Sequence, residues 1–74
     1  MVVLTNMSLV LSEYSENNKK ATIGQGLNES GIFYFVNFYE NNDYLYTIIY
    51  LDHSLKYVKD VAENFTLGIL DSPI

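Results

Sequence analysis

The stretch that decides the fold is GIFYFVNFYENNDYLYTIIYL, residues 31–51. It contains two runs, 32–39 and 44–51, that are rich in aromatic and β-branched residues, as β-strands are. Asn41 and Asn42 lie between the runs, and asparagine tolerates the positive φ angles that a tight turn requires. The stretch therefore predicts a β-hairpin closed by a two-residue turn.

Weaker strand signals precede the hairpin. Apolar residues alternate over residues 7–14, and a short second strand is predicted over 19–24, after a polar turn at 15–18. Gly24-Gln25-Gly26 is interpreted as a flexible turn, and residues 27–30 as a loop. Short strands separated by turns are typical of an antiparallel meander.

A helix is predicted over residues 54–67. Its apolar residues recur at i, i+3, i+7, i+10 and i+14, which forms one stripe, namely Leu55, Val58, Ala62, Phe65 and Ile69. Asp52 or Ser54 is expected to cap its N-terminus, and Gly68 to end it. Because an isolated hairpin is marginal in water, the stripe must pack on the sheet. The predicted fold class is α+β: an antiparallel meander of three to four strands with one C-terminal helix packed on one face.

The length allows one small domain. A second domain does not fit within 74 residues, and residues 1–6 and 71–74 are expected to be loose tails. A chain of this size buries about 60% of the surface that it exposes when unfolded. A core of this size rarely supplies more than roughly 3–5 kcal/mol. Disulfides cannot add to this because the chain has no cysteine, so oligomerisation is the expected supplement.

The hairpin register predicts two apolar faces. A two-residue turn pairs Tyr39 with Tyr44 and Phe38 with Leu45. Together with the helix stripe, one face is then expected to form the core, comprising Ile32, Tyr34, Val36, Phe38, Leu45, Ile49, Leu51, Leu55, Val58, Ala62 and Phe65. The other face carries the predicted interface residues Phe33, Phe35, Tyr39, Tyr44, Tyr46, Ile48 and Tyr50. A three-residue turn would exchange partners between the faces, but both faces would remain apolar.

The second apolar face predicts a protein–protein interface, since monomers rarely expose large apolar patches. A homodimer is the simplest occupant, and a different protein is another. Two alternatives remain open: the N-terminal segment folds over this face, or the tyrosine rings lie flat with their hydroxyls in water. Base stacking on the aromatic rings is disfavoured, because it requires a basic groove.

The charge balance disfavours nucleic acid as a partner. The chain has nine acidic residues, four lysines and a net charge of −5, whereas phosphate binding requires clustered cations. An alternative function is an acidic inhibitor that mimics nucleic acid and occupies a basic host protein. The carboxylates are scattered through turns and the helix, which counts against that alternative.

The sequence predicts no catalytic residue, metal site or cofactor, and hence no enzyme. His53 is the one imidazole, and the consecutive residues Asp52-His53-Ser54 cannot converge as a catalytic triad does. Glu40 and Asp43 lack the spacing of a calcium loop. The apolar runs are too short to span a membrane, and no signal peptide is recognised. A cytoplasmic location is therefore expected.

The C-terminal stretch DHSLKYVKDVAENFTLGIL, residues 52–70, follows an aromatic hairpin. In this arrangement the chain resembles small proteins of tailed phages, notably myoviruses of marine cyanobacteria, over residues 31–70. Val61 departs from the pattern, in which a small residue is expected. The resemblance rests on packing positions, so it implies a viral origin and a host cytoplasmic setting but no activity.

Overall fold

The computed structural model describes residues 9–69 and contains four strands and one helix. The strands are β1 (Leu9–Glu16), β2 (Lys19–Asn28), β3 (Gly31–Glu40) and β4 (Asp43–Tyr50), and the helix is α1 (Leu55–Thr66). The strands form one open sheet in the order β1-β2-β3-β4, and each neighbouring pair is antiparallel. The predicted α+β meander with a C-terminal helix is confirmed. The predicted tails, and Met7 and Ser8 of the predicted first strand, lie outside the described residues.

Asparagines with left-handed backbone build two of the turns. Asn17 has a φ of 55°, and Asn41 and Asn42 have φ angles of 55° and 69°, a conformation that asparagine tolerates better than most residues. The two turns lie at the same end of the sheet and contact each other. The Asn41 backbone N–H donates to the Asn18 carbonyl oxygen at 2.8 Å, and the Asn18 side-chain amide donates to Asn41 Oδ1 at 3.0 Å. Asn41-Asn42 is the turn that the sequence predicts.

The second strand is longer than predicted. Gly24-Gln25-Gly26 belongs to β2, so its interpretation as a flexible turn is wrong. Gly24 pairs with Phe35 and Gly26 with Phe33 on the neighbouring strand. The two aromatic rings lie over the glycines: a Cβ atom placed on Gly26 would be 2.6 Å from Phe33 Cζ. Glycine is favoured here because a side chain would have to displace the ring that covers the strand.

The core lies between the sheet and α1. Its buried hydrophobic residues come from β2, β3, β4 and α1, and they are Ala21, Ile23, Val36, Phe38, Tyr50, Val58, Ala62 and Phe65. At its centre, the rings of Phe38 and Phe65 meet edge to face at 4.8 Å between centroids. Such a pair stabilises by about 0.5–1.5 kcal/mol beyond the area that it buries. Leu55 and Tyr34 are half-buried and pack against this cluster.

The ends of α1 follow local sequence signals. The Ser54 hydroxyl oxygen accepts a hydrogen bond from the Tyr57 backbone N–H at 3.1 Å, which makes Ser54 the N-cap. Leu67 is the C-cap, and Gly68 follows with a φ of 81°. Ile69 lies beyond the helix and is exposed, so it does not extend the apolar stripe as expected.

A β-bulge at Leu45 changes the faces of β4. Tyr39 pairs with Tyr44 as predicted, but Phe38 pairs with Tyr46 rather than with Leu45. Because side chains alternate along a strand, one extra residue moves everything beyond it to the opposite face. The core placement of Leu45, Ile49 and Leu51 is wrong, since all three are exposed.

Because of the same bulge, the predicted interface is wrong for three residues of β4. Tyr46, Ile48 and Tyr50 face α1: Tyr50 is a buried core residue, and the other two pack against the core.

Ile32, expected in the core, is also exposed. It pairs with Leu27 beside the β2–β3 turn, where both side chains meet solvent.

Candidate functional site

The candidate site is the sheet surface that faces away from α1, called the open face below. The strand register brings side chains from all four strands to it. They are Val10, Glu13, Ser15, Lys20, Thr22, Phe33, Phe35, Asn37, Tyr39, Tyr44, Thr47 and Ile49. The face divides into an apolar half and a polar half.

The apolar half consists of one row of residues across the sheet, which includes the Phe35 ring, and of the Phe33 ring beside that row. Val10, Gly24, Phe35 and Ile49 are successive cross-strand partners from β1 to β4. The Phe33 ring lies 6.4 Å from the Phe35 ring. Val10 is 67% exposed and Ile49 58% exposed, while the rings are half-buried because they rest on glycine backbone. The result is a contiguous apolar surface with little relief at its centre.

The polar half is a chain of side-chain hydrogen bonds. Asn37 donates from Nδ2 to Thr22 Oγ1 at 3.2 Å and accepts at Oδ1 from the Thr47 hydroxyl at 2.6 Å. The Tyr44 hydroxyl lies 2.7 Å from Thr47 Oγ1. Since the one Thr47 hydroxyl hydrogen points to Asn37, Tyr44 donates in that pair. The network holds each of these side chains in one orientation across three strands.

At the end of the polar half nearest the asparagine turns lie one cation, Lys20, and two aromatic rings, Tyr39 and Tyr44. Lys20 Nζ lies 4.6 Å from the centroid of the Tyr39 ring, within cation–π range. Tyr39 and Tyr44 meet edge to face at 5.8 Å. Lys20 is therefore held over the face rather than extended into solvent.

The structure places the predicted interface residues in two groups. Phe33, Phe35, Tyr39 and Tyr44 come together on the open face, whereas Tyr46, Ile48 and Tyr50 face α1. Sequence reasoning missed Val10 and Ile49, the most exposed apolar residues of the face. Val10 directly precedes a bulge at Leu11 in β1, and Ile49 lies beyond the bulge at Leu45 in β4. Neither bulge has a local sequence signal. The alternative that the N-terminal segment covers this face concerns residues outside the described part.

A second candidate is a cleft of about 270 Å³ at the turn end of the sheet. Asn17, Asn18, Asn41 and Asn42 line it with Ser15 and two lysines. The lysines diverge: Lys19 Nζ lies 5.3 Å from the Phe65 ring on the helix side, and Lys20 is over Tyr39 on the open face. They do not converge on one ligand, so the cleft ranks below the open face as a site.

Three aromatic side chains cluster at the start of α1. His53 stacks on Tyr57 at 4.4 Å and 15°, and both rings meet Tyr50 edge to face. Burial raises the pKa of Tyr50 above its ordinary 10.0, and the neighbouring phenols of Tyr57 and Tyr46 raise it further. This cluster closes the end of the core. Within residues 9–69, no three His, Cys, Asp or Glu side chains are placed to share a metal ion.

Comparison with known proteins provides no relative from which a function can be transferred. No family model matches the chain, and no curated protein or solved structure is significantly similar to it. Over the described residues, no helix combines the length and apolarity needed to cross a membrane. What the open face does is therefore argued from its own residues.

Proposed function

We propose that this chain is a small non-enzymatic interaction protein that associates with a second copy of itself through the open face. The observation that carries the proposal is the apolar row of Val10, Phe35 and Ile49. It crosses the whole sheet on the side that α1 leaves uncovered. A half-exposed antiparallel sheet normally presents polar residues on its outer face.

Energetics favour an occupant for this face. Burying an exposed Val or Ile side chain completely stabilises by about 1.5–3 kcal/mol, and Phe33, Phe35 and Tyr44 add further area. Association costs an estimated 4–15 kcal/mol in lost freedom, so Val10 and Ile49 alone do not suffice and the whole face must take part. Self-association also adds stability to a core that supplies only roughly 3–5 kcal/mol.

The resemblance to tailed-phage proteins concerns residues 31–70 and supports a biological setting. In that setting the chain is an accessory protein of a phage that acts in the host cytoplasm and binds a host or phage protein as well as its own copy. An acidic nucleic-acid mimic is less well supported. Its carboxylates would need one surface, but Glu13, Glu29 and Asp60 lie on β1, on the β2–β3 turn and on α1.

The test compares two Asp variants by their mass in solution. Val10→Asp places a charge in the apolar row. Leu27→Asp is its matched control: Leu27 is a 47% exposed residue on the same sheet, but its register places it on the α1 side. Light scattering on a sizing column over a dilution series should give the native chain at least twice the 8.5 kDa of one copy. Val10→Asp should lose half of that mass, and Leu27→Asp should keep it.

Circular dichroism separates dissociation from unfolding. Val10→Asp should keep the native far-ultraviolet spectrum, because Val10 is mostly exposed already. A native chain that is monomeric at every dilution would refute self-association. So would a Val10→Asp variant with the native mass.

A further inference from the structure

The outer edge of β4 has the properties of a second contact site. β1 and β4 are the two edges of the open sheet, and an edge strand carries unpaired backbone N–H and C=O groups that can pair with another strand. The β1 edge carries Glu13 and Glu16, which discourage such pairing. β4 begins with Asp43, but its remaining residues, YLYTIIY (44–50), have no charge, proline or glycine.

The helix leaves β4 accessible. α1 packs chiefly over β2 and less over β3 and β1. At β4 it meets Tyr50 through the Tyr57 ring, at 6.0 Å between centroids. Tyr46 and Ile48 are only half-buried on the helix side. The bulge at Leu45 interrupts the strand near its start, so the regular stretch that another strand can join is residues 46–50.

This regular stretch is self-complementary. Tyr46-Thr47-Ile48-Ile49-Tyr50 reads nearly the same in both directions about Ile48. Antiparallel pairing with Ile48 on the axis sets Tyr46 against Tyr50 of the second copy, and Thr47 against Ile49. Each contact then occurs twice, as in a twofold symmetric interface. Aromatic pairs are among the favourable cross-strand neighbours.

Charge favours the same contact. Two copies that each carry a net charge of −5 repel one another, and their approach costs least where neither presents a carboxylate. Antiparallel pairing of β1 with its own copy would instead bring Glu13 and Glu16 of both chains close together. An uncharged, palindromic edge therefore fits a second copy of this chain better than the charged edge does.

We infer that β4 pairs antiparallel with β4 of a second copy, with Ile48 on the twofold axis. The two sheets join into one, both helices lie on the same side, and the two open faces form one continuous surface. This contact uses the edge of the sheet, so it does not depend on association through the open face. If both contacts form, the assembly is a dimer of dimers.

The test uses single cysteines in the full chain, which has none of its own. In Ile48→Cys, the two cysteines face each other across the axis. Directly opposed Cα atoms in antiparallel strands are about 4.5–5.5 Å apart, which is within the range of a disulfide. Ser12→Cys is the matched control, because Ser12 lies on the β1 edge, faces the helix side of the sheet as Ile48 does, and is likewise half-buried.

The readout is the rate of covalent dimer formation under mild oxidation at micromolar chain concentration. Ile48→Cys should form the dimer faster than Ser12→Cys by on the order of tenfold or more, because pairing gives the thiols a millimolar effective concentration. A mixture of Thr47→Cys and Ile49→Cys chains should form mixed dimers faster than either chain alone. Both positions are exposed, so this second test leaves the half-buried Ile48 unchanged.

The outcomes separate the two proposals. Equal rates for Ile48→Cys and Ser12→Cys, with no excess of mixed dimer, would overturn the β4 contact even if Val10→Asp becomes monomeric. Rapid cross-linking of Ile48→Cys, retained when Val10→Asp is added, would establish the edge contact. If Val10→Asp also keeps the native mass, association through the open face fails and the edge contact stands alone.

Discussion

The contact between Gly24 and the Phe35 ring makes a quantitative prediction. Gly24 pairs with Phe35 on β3, and a Cβ atom on Gly24 would overlap the outer edge of the ring. Gly24→Ala therefore forces the Phe35 ring to swing toward solvent. The ring can move because Phe35 is only half-buried, so the strand remains intact while the cover over the β2 backbone is lost.

The expected cost follows from two opposing effects. Overfilling a packed site costs about 1–3 kcal/mol, and replacing glycine by alanine regains about 0.4–1 kcal/mol by restricting the unfolded chain. With the middle of each range, about 2 and about 0.7 kcal/mol, the net loss in the free energy of unfolding should be about 1 kcal/mol. That is a large share of the roughly 3–5 kcal/mol that a core of this size supplies.

The assay is urea unfolding at one fixed chain concentration. Far-ultraviolet circular dichroism reports the sheet and helix, and tyrosine fluorescence reports packing, since the chain has seven tyrosines and no tryptophan. The control is the same substitution in a Phe35→Leu background. Without the ring, Gly24→Ala should be neutral or stabilising by about 0.4–1 kcal/mol.

The difference between the two backgrounds isolates the contact. Coupling of neighbouring residues is about 0.5–3 kcal/mol. A Gly24→Ala variant that is as stable as the native chain with Phe35 present would refute the contact between ring and backbone. Equal effects in both backgrounds would refute the steric explanation.

Three further predictions concern the core, the helix cap and the response to pH. Phe65→Ala should lower the free energy of unfolding by about 3–5 kcal/mol. Circular dichroism at 25 °C should then show a largely unfolded chain, and a native spectrum would contradict the central role of the Phe38–Phe65 pair. Ser54→Ala should lower the free energy of unfolding in urea by about 1 kcal/mol, and Ser54→Asp should retain the native value because Asp also caps helices; equal values for both variants would refute the cap. The raised pKa of Tyr50 means that the folded state keeps this phenol protonated where the unfolded state loses the proton, so stability is present below pH 10 and is lost as the pH rises above it. Urea unfolding between pH 8 and about pH 11 should show a smaller loss in Tyr50→Phe, and equal losses would contradict this linkage.

Local signals predicted the elements well. The aromatic runs around Asn41 and Asn42 determine a hairpin because both the strand preference and the turn geometry depend on neighbouring residues. The helix stripe from Leu55 to Phe65 likewise depends on spacing alone, and Ser54 caps through a hydrogen bond to a residue three positions away. Each of these forces acts within a few residues, so the sequence by itself determined the α+β meander and the turn.

Only the tertiary structure decided which face the side chains of β4 occupy beyond its bulge. The bulge at Leu45 reverses the rest of β4, which buries Tyr50 and exposes Ile49. The glycines of β2 lie in a strand because rings on β3 cover them, and that contact joins residues distant in sequence. A bulge or a ring over glycine is selected by the fit between strands and the helix. That fit is a sum over long-range contacts, and no local pattern in the chain encodes it.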